Sequence, residues 1–395
     1  MTSPLTMILV ADELAFPAGG ASSVYVRRFA RAAALGGAEP VVLCLDYSER
    51  GILQNTAANG AYREVSFEYL TGDPVLPKKA LEISRGRLRA WTALGGALDR
   101  WSKGRRAVVV YYGRFPSVLL PLHRACAARG LPLVANVVEW RPAFRDQTLQ
   151  QRLGDRAFHK WLPRLDGSIV ISRFIESALR ELGAKHPILR VPILSDPDEW
   201  AAPTPLRARR PYVLLCADFD SYPEDAKLAI DAMKHVPTGF ALELVGKAAK
   251  QRPALERHAR LAMVDARVRF EDRFVTDDEL RARYRAASAL IAPLHDDDRS
   301  RARFPSKLAD YLYSGRPFVS SSIGEVGAYL VDGENAFLCR PDDPASLGEA
   351  IVRATTQNDR DAIAARGREL ALGELDIGHQ GKRITAWLDD LAVSR

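Results

Sequence analysis

The sequence has few cysteines and histidines and no long apolar run. Of its 395 residues, four are cysteine and seven are histidine, all well separated. No spacing among them indicates a metal site or a redox motif, which favours a reduced, cytoplasmic protein. No apolar stretch approaches the ~20 residues of a membrane helix, and no basic region precedes a signal-peptide core. Nucleophile-elbow, phosphate-loop and kinase signatures are also missing.

Length and composition predict a soluble protein of two domains. A chain of 395 residues exceeds what one hydrophobic core usually organises. Hydrophobic residues make up 47% and charged residues 27% of the chain, values typical of globular proteins. The net charge of +7 is compatible with anionic small molecules, membrane surfaces or nucleic acid, so it does not identify a ligand by itself.

Strand-like and helix-like runs alternate along the chain in two series, which predicts α/β domains with parallel sheets and crossover helices. The first series has strands at residues 6–11, 40–45, 107–112, 132–138 and 168–171. The second has strands at residues 212–217, 240–246, 266–271, 289–293 and 317–321. The proline-rich stretch 191–205 predicts a linker, so the expected domains are residues 1–195 and 206–379.

Residues 303–319 carry the most informative pattern in the chain. They predict a loop, a short amphipathic helix with Pro305 in its first turn and Gly315 at its end, and a buried strand. Lys307 and Asp310 are three residues apart and therefore share one helix face, opposite the core-facing side. A cation and a carboxylate on one helix face, preceded in the sequence by several arginines, suit a nucleotide as ligand, because a nucleotide has phosphates and a sugar diol.

This segment, with Gly324-Glu325 and residues 332–338, resembles the donor-site signature of the family 4 retaining glycosyltransferases. The resemblance implies the GT-B fold, with two doubly wound (Rossmann-like) domains facing each other across a cleft. In that family two acidic residues stand eight positions apart, and the second typically holds the nucleotide ribose. Asp310 matches the second position, whereas the first falls on Ala302. The acids at 296–298 are nearby candidates for the missing role. They also suggest a divalent ion, but a run of three acids in a loop is more often solvated, and the GT-B pattern does not require a metal.

The resemblance also implies which residues contact the donor. The loop after the first strand contains Gly19 and Gly20 and opens into a helix, whose free N–H groups favour an anion. Relatives carry an arginine and a lysine after the first strand of the second domain, where this chain has acids at 218, 224 and 225. Either other cations replace them or donor binding is altered. The predicted donor-binding residues are Gly19, Gly20, Lys247, Arg303, Phe304, Lys307, Asp310, Gly324 and Glu325.

Glu139 and Trp140 follow a buried strand at residues 133–138, where many family members have a histidine facing the transferred sugar. A carboxylate there can bind sugar hydroxyls, and an indole offers a stacking face. The alternative is a capping glutamate and a packed tryptophan. Glu139, Arg303 and Lys307 are the predicted catalytic residues.

The function implied by the resemblance is retaining, metal-independent transfer of a hexosyl group from a nucleotide-sugar. The acceptor, a saccharide, a lipid-linked saccharide or a small molecule, would be held by the N-terminal domain. The donor is a substrate, and no cofactor and no nucleic acid are expected. A sugar-nucleotide isomerase or hydrolase of the same fold and a non-catalytic binding subunit are the alternatives.

Two amphipathic segments carry further predictions. Residues 78–106 combine tryptophans and leucines at near-helical spacing with many cations, which suits peripheral contact with the inner face of an anionic membrane or, alternatively, packing on the sheet with solvated arginines. Residues 380–395 have one apolar face, and the resemblance implies that this last helix packs back on the N-terminal domain.

Overall fold

The chain forms two compact units. The computed structural model describes residues 3–12, 14–47, 57–140, 147–200, 210–273 and 275–393. Unit 1 comprises Met1–Leu194 together with Ile377–Arg395, and unit 2 comprises Ser195–Asp376. Residues 201–205 of the predicted linker lie outside the described residues.

Unit 1 is built on a mostly parallel sheet. Within the described residues its strands are β1 (Thr6–Ala11), β2 (Glu39–Cys44), β3 (Asn59–Tyr62), β4 (Val65–Tyr69), β5 (Ala107–Tyr112), β6 (Leu133–Val137), β7 (Gly167–Val170) and β8 (Ile188–Arg190). Their order is β3-β4-β2-β1-β5-β6-β7-β8, and among the pairs only β3 with β4 is antiparallel. Strands β1, β5 and β6 are buried along their whole length, as expected for parallel strands covered on both faces.

Three helices of unit 1 begin at recognisable start signals. The helices before residue 195 are α1 (Ala21–Leu35), α2 (Ala80–Ser102), α3 (Pro116–Ala127), α4 (Leu149–Trp161) and α5 (Arg173–Glu181). Pro116 occupies the first turn of α3, where its missing N–H costs nothing. Thr148 and Gln151 form a capping box at the start of α4, and the Ser172 hydroxyl accepts the Ile175 N–H at 3.2 Å at the start of α5. These caps satisfy N–H groups that a helix leaves unpaired.

Unit 2 is built on a parallel sheet with the order β11-β10-β9-β12-β13-β14. Its strands are β9 (Tyr212–Cys216), β10 (Ala241–Val245), β11 (Val268–Glu271), β12 (Ala289–Ala292), β13 (Phe318–Ser321) and β14 (Phe337–Cys339). Its helices are α6 (Pro223–Ala232), α7 (Arg252–Leu261), α8 (Asp277–Ala286), α9 (Asp298–Ala302), α10 (Leu308–Tyr313), α11 (Val326–Tyr329), α12 (Pro344–Thr356) and α13 (Arg360–Leu372). In such sheets the loops at the carboxyl ends of the strands form the ligand crevice.

The short helix at residues 303–319 begins later than the sequence predicts, and it is buried. Helix α10 starts at Leu308, whereas Pro305 lies in the preceding turn and its carbonyl accepts the Leu308 N–H at 2.9 Å. A residue before proline avoids the helical conformation, so Phe304 cannot extend the helix backwards. Every residue of α10 is buried, and Asp310 is only 5% exposed. The expectation of one polar and one core-facing side is therefore wrong.

The last helix, α14 (Ile377–Val393), packs on α1 within unit 1. Ile384 and Leu388 are fully buried in the core of this unit. The two helices approach closely at Gly36 and Gly381. A Cβ on Gly36 would lie 2.2 Å from the Gly381 carbonyl oxygen, so the contact requires glycine at position 36. The Thr385 hydroxyl donates to the Ala33 carbonyl at 3.0 Å. No helix in the described part of the chain combines the length and the apolar character that crossing a membrane requires.

Candidate functional site

The glycine loop of unit 1 leads from β1 into α1. Gly19 is required by close packing, since a Cβ there would lie 2.0 Å from the Ser23 hydroxyl oxygen. A Cβ on Gly20, in contrast, would meet no atom within 4 Å, and Gly20 is exposed immediately before the first turn of α1. The backbone at Gly20 is therefore open to a ligand, next to the N–H groups of a helix start.

A polar cavity of about 310 Å³ lies at the carboxyl ends of β1, β5 and β6. Its lining includes Asp12, Ser22, Arg114, Asn136, Glu139 and His159. The structure thus brings Glu139 together with the beginning of α1. Trp140 does not line this cavity and instead packs on His159, with ring centroids 4.4 Å apart. Of the two residues predicted after β6, only Glu139 contributes to the polar cavity.

Two tyrosines, the half-buried Tyr25 and the buried Tyr111, orient polar side chains of the polar cavity. The Tyr25 hydroxyl donates to Asn136 Oδ1 at 2.9 Å, while Asn136 Nδ2 is buried and has no hydrogen-bond partner among the described residues. The Tyr111 hydroxyl donates to the Asp12 carboxylate in a short contact. A Cβ on Gly113 would lie 2.2 Å from that carboxylate, so glycine is needed beside Asp12. These contacts fix an amide and a carboxylate at strand ends, where they can meet hydroxyl groups.

In unit 2, Arg303 is part of a chain of alternating charges. Its Nη2 lies 3.0 and 3.2 Å from the two carboxylate oxygens of Asp225. His295 Nε2 lies 3.3 Å from Asp225 Oδ1, at ion-pair distance but outside hydrogen-bond geometry, and His295 Nδ1 contacts Asp342 Oδ1 at 2.5 Å. The carboxylates of Asp225 and Asp342 raise the pKa of His295 to about 9 against the opposing effect of burial. At pH 7 His295 is therefore a cation, like Arg303.

The predicted residue Arg303 and its neighbour Arg299 are held against one aromatic ring. The guanidinium carbon of Arg299 lies 3.8 Å from the ring centroid of Tyr222, and that of Arg303 lies 4.7 Å away. Arg299 also donates to the Ser221 carbonyl at 3.2 Å. Cation–π contacts of this kind orient guanidinium groups, so the loop between β9 and α6 positions both cations at the carboxyl end of the sheet.

Lys307 and Asp310 lie near the end of β9, but only Lys307 is partly exposed. The Tyr311 hydroxyl accepts the Cys216 N–H at 2.8 Å, which joins α10 to β9. Burial raises the pKa of the Cys216 thiol, and the charge of Lys307 opposes this shift, so Lys307 is close to this strand end. Burial raises the pKa of Tyr311, and the Asp310 carboxylate adds to this shift. Asp310 is itself buried and belongs to the same cluster.

The remaining predicted donor residues also lie on loops of unit 2. Two features favour glycine at position 324: the φ of +56°, and the lack of space for a side chain, because a Cβ would lie 3.0 Å from the Arg301 Cα. Glu325 follows it and is buried. Phe304 stacks on Tyr329 at 5.3 Å, which joins the residues around 303 to those around 325. Lys247 is exposed after β10, and its carbonyl accepts the Phe219 N–H at 2.8 Å.

Comparison with known proteins identifies the fold. Residues 210–357 match the family model described as glycosyl transferases group 1. Sucrose-phosphate synthase from Thermosynechococcus elongatus is similar in structure, with a TM-score of 0.71, 18% identity and coverage of 98% of this chain and 100% of that one. HepE from Anabaena, solved with UDP and glucose, has a TM-score of 0.71 and 16% identity over 97% of this chain and 99% of that one. The chain has the GT-B fold.

A third GT-B structure is the trehalose-6-phosphate synthase OtsA, with a TM-score of 0.68 and 12% identity over 98% of this chain and 99% of that one. No protein of curated function matches the sequence directly. In this GT-B chain the match to the group 1 glycosyl transferase model lies within unit 2. The similarity to solved GT-B structures covers both units.

The acids near position 302 of this GT-B chain have structural contacts of their own. Ala302 is buried. Asp297 caps α9 by accepting the Ser300 N–H at 2.7 Å, and Asp296 and Asp298 both pair with Arg301. These contacts account for all three acids without a ligand.

Sequence reasoning missed several residues of these sites. His295 has no partner at metal-binding spacing in the sequence, although its position three residues after β12 could have marked it as a strand-end residue. Asp342 and Tyr222 lie after β14 and β9 in the same way. Asn136 and Tyr25 carried no sequence signal, because a single asparagine in an apolar strand and a tyrosine in a helix are common in protein cores.

Proposed function

We propose that the protein transfers a hexosyl group from a nucleotide-sugar to an acceptor, with retention of the anomeric configuration. The main observation behind this proposal is the clustering of Arg303, Lys307 and Asp310 at strand ends within the segment that matches the group 1 model. The similar HepE structure contains UDP and glucose, which supports a nucleotide-sugar donor. The proposal assigns no metal and no cofactor.

The roles of the residues follow from their chemistry. Asp310 would accept hydrogen bonds from the ribose hydroxyls. Arg303 and Lys307 would stabilise the charge that develops on the leaving diphosphate, where preorganised cations are most effective. Gly324 and Glu325 would contact the donor sugar or the edge of the phosphates, Phe304 would position that loop, and Lys247 would supply a further cation.

In unit 1, the N–H groups at Gly19 and Gly20 would contact phosphate, and the polar cavity with Glu139 would bind the acceptor. In the mechanism that the resemblance implies, the bond between the anomeric carbon and phosphate loosens while the acceptor hydroxyl attacks from the same face. The departing phosphate can take the proton, so no protein base is required. Catalysis would then depend on positioning and charge stabilisation.

Two assays test the proposal. A thermal-shift screen with UDP, GDP, ADP and TDP should show one preferred nucleotide, because a ligand at 100 times its Kd adds about 2.7 kcal/mol to stability. Incubation with the matching nucleotide-sugars, with and without candidate acceptors, should release free nucleotide only when an acceptor is present. Nuclear magnetic resonance of the product should show the anomeric configuration of the donor.

The same assays separate the alternatives. Nucleotide release without an acceptor would indicate a hydrolase, and conversion of the sugar without release would indicate an isomerase. Nucleotide binding with neither reaction would indicate a non-catalytic binding subunit. The absence of any nucleotide response would contradict the proposed donor site altogether.

A further inference from the structure

A second cavity of unit 1, here called the basic cavity, lies beside α4. Its volume is about 650 Å³, and its lining includes Trp140, Arg156, His159, Lys160, Arg164 and Leu182. Three of these residues are cations, and no carboxylate of the described residues lines the cavity. An empty space with several cations and no acid is suited to an anion.

The cations of the basic cavity differ from most others in unit 1. Within the described part of the chain, neither Arg156 nor Lys160 has a carboxylate within 4 Å, and Arg164 bonds only to the Lys160 carbonyl and packs 5.1 Å from the ring of Trp161. In the segment 78–106, for which a membrane contact is predicted, many of the cations are paired in the folded chain. The pairs are Arg87 with Asp46, Arg100 with Glu68, Arg105 with Glu39, and Arg106 with Asp389. Arg156, Lys160 and Arg164 thus have no carboxylate partner among the described residues, and their charges are available to an anion.

The floor of the basic cavity is aromatic. The rings of Trp140 and His159 are tilted by 46° with centroids 4.4 Å apart. Burial lowers the pKa of His159 to about 4, so this imidazole is neutral at pH 7. His159 Nδ1 is buried and has no hydrogen-bond partner among the described residues. The floor thus offers ring surface, and the cations surround it at the rim.

An exposed apolar strip on α4 continues the line of cations. Leu149 is 73% exposed and Leu153 is 55% exposed, and at four residues apart they share one side of the helix. Residues 149, 153, 156 and 160 have the spacing i, i+4, i+7 and i+11, which places them along one helix face. The first half of this face is apolar and the second half is basic, over about 16 Å at 1.5 Å per residue.

We propose that this face and the basic cavity bind one amphiphilic phosphate, a phosphate ester with a hydrocarbon chain. The phosphate contacts Arg156, Lys160 and Arg164, and the chain lies along Leu153 and Leu149. A free sugar phosphate would use the cations but not the leucines, and an uncharged lipid would use only the leucines. The identification of this ligand as the carrier of a lipid-linked acceptor rests on the proposed function, whereas the binding site itself does not.

Titration calorimetry with dodecyl phosphate below its micellar concentration tests the site. Dodecyl maltoside, with the same chain and no charge, and inorganic phosphate serve as comparison ligands and should both bind more weakly. The double substitution Arg156→Gln with Lys160→Gln should weaken dodecyl phosphate binding by about tenfold or more, because charge-assisted contacts are lost. Leu153→Asn should weaken it less. Arg152→Gln, on the same helix but outside the cavity, is the matched control and should bind like wild type.

Trp140 provides a readout that locates the ligand. Dodecyl phosphate should change the tryptophan fluorescence of wild type, and this change should be lost in Trp140→Phe, which keeps an aromatic ring. Unchanged affinity in the double variant, or inorganic phosphate binding as tightly as dodecyl phosphate, would overturn the proposal. Binding to anionic vesicles without any binding of monomeric dodecyl phosphate would also overturn it in favour of a membrane surface.

Nucleotide binding distinguishes this inference from the proposed function. The double variant should keep the thermal shift of wild type with the preferred nucleotide. The residues of the basic cavity belong to unit 1, whereas Arg303, Lys307 and Asp310 belong to unit 2. A normal nucleotide response without dodecyl phosphate binding would overturn only the lipid phosphate site. Dodecyl phosphate binding without any nucleotide response would overturn only the proposed transferase function.

Discussion

Replacing Asp225 by asparagine should strengthen the binding of a nucleoside diphosphate. Asp225 is buried and engages Arg303 through both carboxylate oxygens. If Arg303 binds the donor diphosphate, the carboxylate competes with the ligand for the same guanidinium group. Asparagine has nearly the same shape but no charge, so it leaves Arg303 in place and weakens only the competing contact.

The size of the effect follows from the geometry. Hydrogen bonds to charged groups contribute roughly 1.5–3 kcal/mol, and an amide keeps one acceptor oxygen without the charge, so about half of that contribution is lost. A loss of about 0.8–1.5 kcal/mol in the competing contact corresponds to a Kd about four- to tenfold lower, at 1.4 kcal/mol per decade. The variant should also be less stable, because the cations His295 and Arg303 lose the carboxylate between them.

Titration calorimetry with the preferred nucleoside diphosphate measures this effect. Asp342→Asn is the matched control: it removes the other carboxylate at His295 but does not touch Arg303, and asparagine tolerates the φ of +57° at this position. Its Kd should equal that of wild type, and Arg303→Gln should bind more weakly. If Asp225→Asn binds as weakly as Arg303→Gln, then Asp225 orients the arginine for the ligand and does not compete with it.

Three further predictions concern the donor site and stability. Asp310→Ala and Asp310→Asn should each weaken nucleotide binding by about ten- to a hundredfold, since contacts to a charged group are lost. Unchanged affinity by calorimetry would exclude Asp310 from the proposed donor site. Circular dichroism checks that both variants fold, because Asp310 is buried. The pKa of His295 is raised to about 9 from an ordinary value of about 6.5, so protonated His295 stabilises the fold fully below pH 6.5 and progressively less as pH rises through 9. The difference in unfolding free energy between wild type and His295→Gln, measured in urea, should therefore shrink over this range. A constant difference would contradict the raised pKa. Deleting residues 380–395 should give insoluble or unstable protein, because it uncovers the apolar face of α1; a soluble truncation with an unchanged Tm would show that α14 is dispensable.

The sequence by itself determined the architecture of the protein and the position of its most informative segment. Runs of apolar residues at strand and helix periods are local properties, so they predict alternating elements and a doubly wound fold without knowledge of the packing. Strands β3, β4, β8 and β14 and helices α4, α9 and α11 were not predicted, because they are short or, in α4, rich in polar residues. The residues at 303–325 could be recognised because their motif is contiguous in the chain.

Only the tertiary structure decided which charges are paired. Arg303 and Asp225 are 78 positions apart, and no local pattern shows that they meet. The tertiary structure also decided that Asp310 is buried, that many cations of residues 78–106 have carboxylate partners, and that Arg156 and Lys160 have none among the described residues. The physical reason is that periodicity within a segment reports which face is apolar, whereas the partner of a charged side chain depends on what distant segments the packing brings beside it.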